Sequence, residues 1–227
     1  MRDISYIKNV SSLLRYLFVA DIVMSAVAFV STIFEYKLLN EFSRGVYTNQ
    51  DVMAALASQN DTRQQIISII FLVLILATII TFCVWVFRMN KNLEFLGAVG
   101  LRSSPGWAVG WFFVPVANLW KPYQAMSDLW RASKAPDSWR EIERGPVLPW
   151  WWAFWLVSNA VSNGVFRFSM EAETLEQLIT VSMISMVSNV LDMLATIFAF
   201  VMIRQIYTNQ ASHMEQAEHS QAAPSGK

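Results

Sequence analysis

From Ile66 to Phe87 the chain runs 22 residues without a charge, and only Ser68, Thr78 and Thr81 carry hydroxyls. Coiled as a helix at ~1.5 Å per residue, such a run is ~33 Å long, which matches a hydrocarbon core of ~30 Å. In lipid every backbone N–H and C=O must be satisfied within the segment, so a single spanning run is helical. This one stretch therefore sets the class: an all-α integral membrane protein. Composition agrees, with 55% hydrophobic and only 15% charged residues, against about 25% charged in an ordinary soluble domain.

Three further stretches are long enough to span: Leu13 to Phe34, Trp150 to Phe168 and Leu178 to Ile203. Their few polar residues fall at helical spacing. Asp21, Ser25, Ala28 and Thr32 share one face of the first, and Ser182, Ser185, Asn189, Asp192 and Thr196 share one of the last. Ser158, Asn159, Ser162 and Asn163 form a seam on the third; Thr78, Thr81, Trp85, Arg88 and Asn92 line up on the second. Polar side chains in lipid turn toward one another, so the expected fold is a four-helix transmembrane bundle with inward seams. Arg2 and Lys8 ahead of an apolar run with Ala26-Val27-Ala28 resemble a secretion signal. Asp21 interrupts its core and the run continues to Phe34, so an uncleaved anchor is expected.

Lysine and arginine give the orientation. Thirteen of the seventeen lie at the N-terminal end, in the stretch between the second and third spans, or after the fourth; Lys37, Arg44, Arg63 and Arg167 are the rest. Positive residues are retained in the cytoplasm, so both termini and the central loop are expected inside. Lysine plus arginine equals aspartate plus glutamate at 17 each. That balance leaves no electrostatic footprint for a nucleic-acid partner.

The central loop is itself strongly apolar. Trp107 to Trp120 would cover only ~21 Å as a helix, and Pro115 would break its ladder, so a cytoplasmic-side re-entrant or interfacial segment is expected over residues 105–134. Pro122 is placed to open a helix that carries Leu119, Tyr123, Met126 and Trp130 on one face. Such a helix suits the headgroup plane or the protein's own spans. After Pro149, Trp150, Trp151, Trp152 and Trp155 form an aromatic belt where the third span begins. The domain reading is one transmembrane domain over 1–206 and a disordered cytoplasmic tail over 207–227.

No catalytic constellation is visible: there is no His pairing on one face, no Ser/His or Cys/His arrangement and no phosphate-cradling glycine loop. Cys83 is the single cysteine, and His213 and His219 are the only histidines, so neither a disulfide, a metal site nor a cofactor is expected. Intramembrane Asp21 and Asp192 are the leading functional candidates, with Arg88 and Asn189 as neighbours in the seams. A centred ionised Asp costs roughly 2.5–3.5 kcal/mol on insertion scales and needs a partner, a proton or water. Three roles stay open: a structural Asp–Arg or Asp–Asn clamp, a proton or ion relay, and recognition of a partner's polar group. In the loop the candidates are Trp107, Pro115, Asn118 and Pro122; Asn118 could tie the irregular turn or contact a ligand.

The stretch Trp85-Val-Phe-Arg88-Met-Asn-Lys-Asn92, then Pro105-Gly-Trp-Ala-Val-Gly-Trp-Phe-Phe-Val-Pro115-Val-Ala-Asn118-Leu-Trp-Lys-Pro122, then Asp128-Leu-Trp130-Arg131, resembles the bacterial family called domain of unknown function 4328. Trp151-Trp-Ala-Phe-Trp155, Ala172-Glu-Thr-Leu175 and Val190-Leu-Asp192 continue the likeness, which covers roughly residues 65–206. The resemblance implies a multi-pass protein of the bacterial inner membrane and carries no established activity. The expectation is a non-enzymatic protein that acts through the lipid bilayer, a membrane-protein partner or a homo-oligomer. The alternative is a small oligomeric transporter or channel subunit with an intramembrane Asp as its proton or ion site.

Overall fold

The structure, a computed structural model, describes residues 4–222. Among them are six α-helices and no strand: α1 (Ile4–Ser43), α2 (Gln50–Phe95), α3 (Pro105–Gly110), α4 (Lys121–Lys134), α5 (Val147–Glu171) and α6 (Leu175–Ala222). A 3-10 turn over Ala117–Leu119 precedes α4.

Local chemistry explains the boundaries. Neither α1, α2 nor α6 contains a glycine or proline, so nothing breaks their ladders beyond the apolar runs, and they extend to 40, 46 and 48 residues. Only residues 44–49 are thereby left between α1 and α2. α1 and α2 both close on a glycine in the left-handed region, Gly45 (φ 68°) and Gly97 (φ 84°). In each case the following N–H reaches back five residues, Val46 to Glu41 at 3.1 Å and Ala98 to Leu93 at 3.0 Å, which satisfies the last carbonyls. Asn49 caps α2 by accepting from the N–H of Asp51 at 2.8 Å. At α6, Thr174 accepts from the N–H of Gln177 while the Gln177 side chain accepts from the N–H of Thr174, a reciprocal cap.

α1, α2 and α6 are long and apolar enough to cross a membrane. Four such helices were expected. α5 has the length, at 25 residues, but tryptophans at 150, 151, 152 and 155 and serines and asparagines at 158, 159, 162 and 163 thin out its aliphatic content.

The chain divides into two compact units. The first, residues 1–16, 78–150 and 198–227, has an aliphatic and aromatic core: Leu14, Trp85, Met89, Leu93, Met126, Leu129, Leu148, Met202 and Ile206 are fully buried. α4 lies at its centre. Ala125, Met126, Ser127, Asp128, Leu129 and Trp130 are all buried, so α4 packs against the protein's own elements and presents no free apolar face.

The second unit, residues 17–77 and 151–197, has the opposite polarity. Its buried positions include Asp21, Ser25, Ser31, Thr32, Asn60, Ser158, Ser182 and Ser188, whereas Val23, Val30, Ile69, Leu72, Val73, Val157 and Val187 are exposed. Polar seams inward and aliphatics outward is the arrangement the helical spacing called for on the first and last segments.

One expectation is corrected at the C-terminal end. A disordered tail was expected from Tyr207, but α6 stays helical to Ala222. The reason is packing: Ile206, Gln210 and Met214, each four residues apart, are buried in the first unit. Residues 223–227 of the expected tail lie outside the described residues.

Candidate functional site

Three polar clusters stand out. In the second unit, α5 and α6 meet through hydroxyls. Ser158 Oγ donates to Asp192 Oδ1, and one turn along Ser162 and Ser188 share a hydrogen bond of 2.8 Å. Asp192 is half-buried. Its carboxylate is thus held by a serine, not by the arginine or asparagine of the expected clamp. Asn189 is half-buried on the same helix. Asn159 and Asn163, expected in the inward seam, are exposed and fold back on the carbonyls of Trp155 and Asn159 at 2.7 Å each. Consecutive residues lie ~100° apart on a helix, so one seam cannot face both Ser158 and Asn159 inward.

α1 and α2 of the same unit are joined by a closed ring of polar contacts. Ser31 donates to Gln64 at 3.0 Å, Gln64 donates to Glu35 at 3.0 Å, and Asn60 donates to Glu35 at 3.5 Å. Arg63 completes the ring, donating to Asn60 Oδ1 at 2.5 Å and Ser31 Oγ at 3.1 Å. Each member is a donor or acceptor for the next, so the ring ties α1 to α2. Asp21 and Ser25 are buried further along α1.

The first unit holds the third cluster. Gln210 of α6 is fully buried. Its carboxamide oxygen accepts from Asn92 Nδ2 at 2.8 Å, and its nitrogen donates to Ser133 Oγ at 2.8 Å and to the Met89 carbonyl at 3.2 Å. Trp130 Nε1 donates to Gln205 at 2.9 Å on the same helix, so α6 is pinned to both α2 and α4. Arg102, from the loop after α2, forks onto Asp128, with Nε at 2.8 Å and Nη2 at 2.5 Å from the two carboxylate oxygens. The side chain of Asp128 is 3% exposed, so this charge is held inside by its partner. The hydrogen bonds to Asp128 keep the Arg102 guanidinium above its ordinary value, against the lowering effect of burial.

Arg88 is exposed, with its guanidinium 4.9 Å from the centre of the Tyr6 ring, so its partner is an aromatic face. Trp107 is exposed and packs on Trp111 at 4.5 Å. Pro115 opens an irregular turn, while Pro122 is buried in the first turn of α4. The turn is tied by the backbone of Asn118, whose N–H donates to Val114 at 2.9 Å; among the described residues its carboxamide makes no hydrogen bond.

Gln210 and the Arg102–Asp128 pair are the residues that sequence reasoning missed. For Gln210 a signal existed: Met202, Ile206, Gln210 and Met214 repeat every four residues and carry the helical stripe beyond Tyr207. For Arg102 there was none, because the pair is 26 positions apart and one partner sits in an irregular loop.

These clusters tie neighbouring helices together through hydrogen bonds and one ion pair. Among the described residues no three of His, Cys, Asp and Glu gather as metal ligands. The groove along α2 at Ala55, Gln59, Thr62 and Ile66 is open and built from one helix. The model of the family described as domain of unknown function (DUF4328) matches residues 48–208. No curated protein matches the chain, and no solved structure does.

Proposed function

The chain belongs to the DUF4328 family, and from that starting point we propose that it is a multi-pass protein of a bacterial inner membrane that acts, without enzymatic chemistry, by associating with lipid or with other membrane proteins. α1, α2, α5 and α6 are its four spans, forming a bundle with both termini and residues 96–146 on the cytoplasmic side.

One observation carries the reading: the inverted polarity of the second unit. Water would reject a surface of Val23, Val30, Ile69, Leu72 and Val73 around a centre of Asp21, Ser25 and Ser158. A bilayer favours it, because hydrocarbon solvates the aliphatics and drives the hydroxyls together. Of the most apolar stretch of α2, only 6% is buried. That leaves nearly the whole circumference for lipid or a neighbouring helix.

The test is extraction followed by crosslinking. The full chain is expected to stay with membranes through alkaline carbonate and to give a crosslinked species, with itself or a partner. Release by carbonate, or a monomer that tolerates replacement of residues 105–134 without consequence, would contradict it.

A second reading is favoured by the hydroxyl line Ser158–Asp192 and Ser162–Ser188, which could pass a proton or ion in an oligomer. Reconstituted liposomes decide: flux that is lost in Asp192→Asn or Asp21→Asn supports transport, and flux unchanged in both disposes of it.

A further inference from the structure

The loop between α3 and α4 combines three features that an ordinary cytoplasmic loop has no reason to share. The first is its depth. The Phe112 ring meets Phe82 edge-on, 5.5 Å between centres. Phe82 lies inside the uncharged run of α2, six residues before Arg88, which places it ~9 Å along the helix from the first charge. The loop therefore reaches back alongside the part of α2 whose outer face is apolar and exposed, and it continues that surface.

The second is its exposed chemistry. Phe113 is 65%, Val116 68% and Leu119 53% exposed. A cation stands just behind them, Lys121 Nζ at 5.3 Å from the centre of the Trp111 ring, where an aromatic and a lysine can share the headgroup level.

The third is the backbone. Val116 sits at φ 67°, ψ −53°, and the Ala117 N–H donates to the Pro115 carbonyl at 2.7 Å. This is a γ-turn of the rare, strained hand, at a β-branched residue that strongly disfavours positive φ. Around it, the N–H groups of Phe112 and Phe113 donate back to Val109 and Gly110 of α3, and those of Asn118, Leu119 and Trp120 donate within the loop. Pro115 has no N–H to satisfy.

We propose that residues 107–120 are a re-entrant wedge seated in the cytoplasmic phospholipid leaflet, with Phe113, Val116 and Leu119 against acyl chains and Lys121 at the phosphate level. Continuity with the apolar face of α2 and the shared depth of Phe112 and Phe82 make the occupant lipid. The strained turn is the point at which Val116 stands exposed. The proposal rests on the bilayer reading above and names the surface by which lipid is engaged.

The experiment uses the full chain in phospholipid nanodiscs, with Cys83→Ser and a single spin label at Phe113→Cys, Val116→Cys or Leu119→Cys. All three sites are exposed, so the labels leave the core packing alone. Ile80→Cys is the lipid reference and Ser138→Cys the aqueous one. Accessibility to oxygen relative to a water-soluble nickel chelate is expected to match Ile80 at the three loop sites and to exceed Ser138 several-fold. Loop labels that read like Ser138 overturn the wedge while the bilayer reading stands. Labels shielded from both reagents place the loop against protein and overturn it as well. If Ile80 itself reads as aqueous, the bilayer reading fails with it.

Discussion

Replacing Gln210 with alanine tests whether the C-terminal part of α6 is locked to the first unit. The side chain makes three hydrogen bonds in a fully buried position, to Asn92, Ser133 and the Met89 carbonyl. After truncation Ser133 still donates to Leu129 at 2.6 Å, and Asn92 keeps only the Met214 sulfur at 3.4 Å. At about 1 kcal/mol net per bond, with an added cost for the void and the orphaned amide, the loss is ~3–4 kcal/mol. Since ~1.4 kcal/mol is a tenfold change in an equilibrium, local opening of this segment rises by roughly two orders of magnitude. Hydrogen exchange at the amides of Ile206 to Met214, in nanodiscs, reads that directly. Thr208→Ala, on the exposed side of the same turn, is the control and is expected within about 0.5 kcal/mol of wild type. If Gln210→Ala and Thr208→Ala exchange alike, the lock does not hold the helix and the reasoning is wrong.

Arg102→Ala leaves the buried Asp128 carboxylate with only the backbone N–H of residue 102 and is expected to lower the stability of the first unit by about 2–3 kcal/mol, with Arg102→Lys recovering part, as read by thermal unfolding in detergent. The pH dependence of that contribution has a definite sign. A cation whose folded value is raised stabilises fully below its ordinary range and loses the effect only as pH climbs through the raised value. The wild-type minus Arg102→Ala difference is therefore flat between about pH 7 and pH 10, and a fall in that window would show that another group supplies it. Gly145→Ala drives a methyl to 2.6 Å from the Trp130 indole, so about 1–3 kcal/mol of destabilisation and a shifted tryptophan emission are expected; unchanged stability and emission would show that the backbone at 145 yields and the contact does not constrain the ring. Glu35→Ala opens the Ser31–Gln64–Arg63–Asn60 ring and should speed protease cutting near Arg63, whereas Glu35→Gln should largely preserve it. Equal cutting in the two variants would mean that the ring does not hold α1 to α2.

Hydropathy made the helices legible where lipid dictates composition. The run Ile66 to Phe87 could be nothing else, and the Asp21–Ser25–Thr32 face read correctly as buried because its spacing repeats the helix. Helix length was not legible the same way. Residues 50–65 of α2 and 207–222 of α6 are polar, and hydropathy registers the end of the apolar run, whereas the absence of glycine and proline sets the end of the helix. Pairing was least visible. Asp192 meeting Ser158, or Arg102 meeting Asp128, depends on which helices adjoin and on a loop path, neither of which leaves a periodic mark. Gln210 shows the middle case: a four-residue repeat was present but hidden by the surrounding Asn, Gln and Ser.

The central claim is a chain that crosses the bilayer four times, with α5 as the least apolar crossing. Labelling intact cells with a membrane-impermeant maleimide, on single cysteines at Ser58, Ser138 and Ser169 in a Cys83→Ser background, addresses it; all three serines are exposed. The account predicts that Ser58→Cys and Ser169→Cys react in intact cells and Ser138→Cys only after permeabilisation. Labelling of Ser138 and Ser169 under the same condition would mean that α5 does not cross, and the four-span architecture would be wrong.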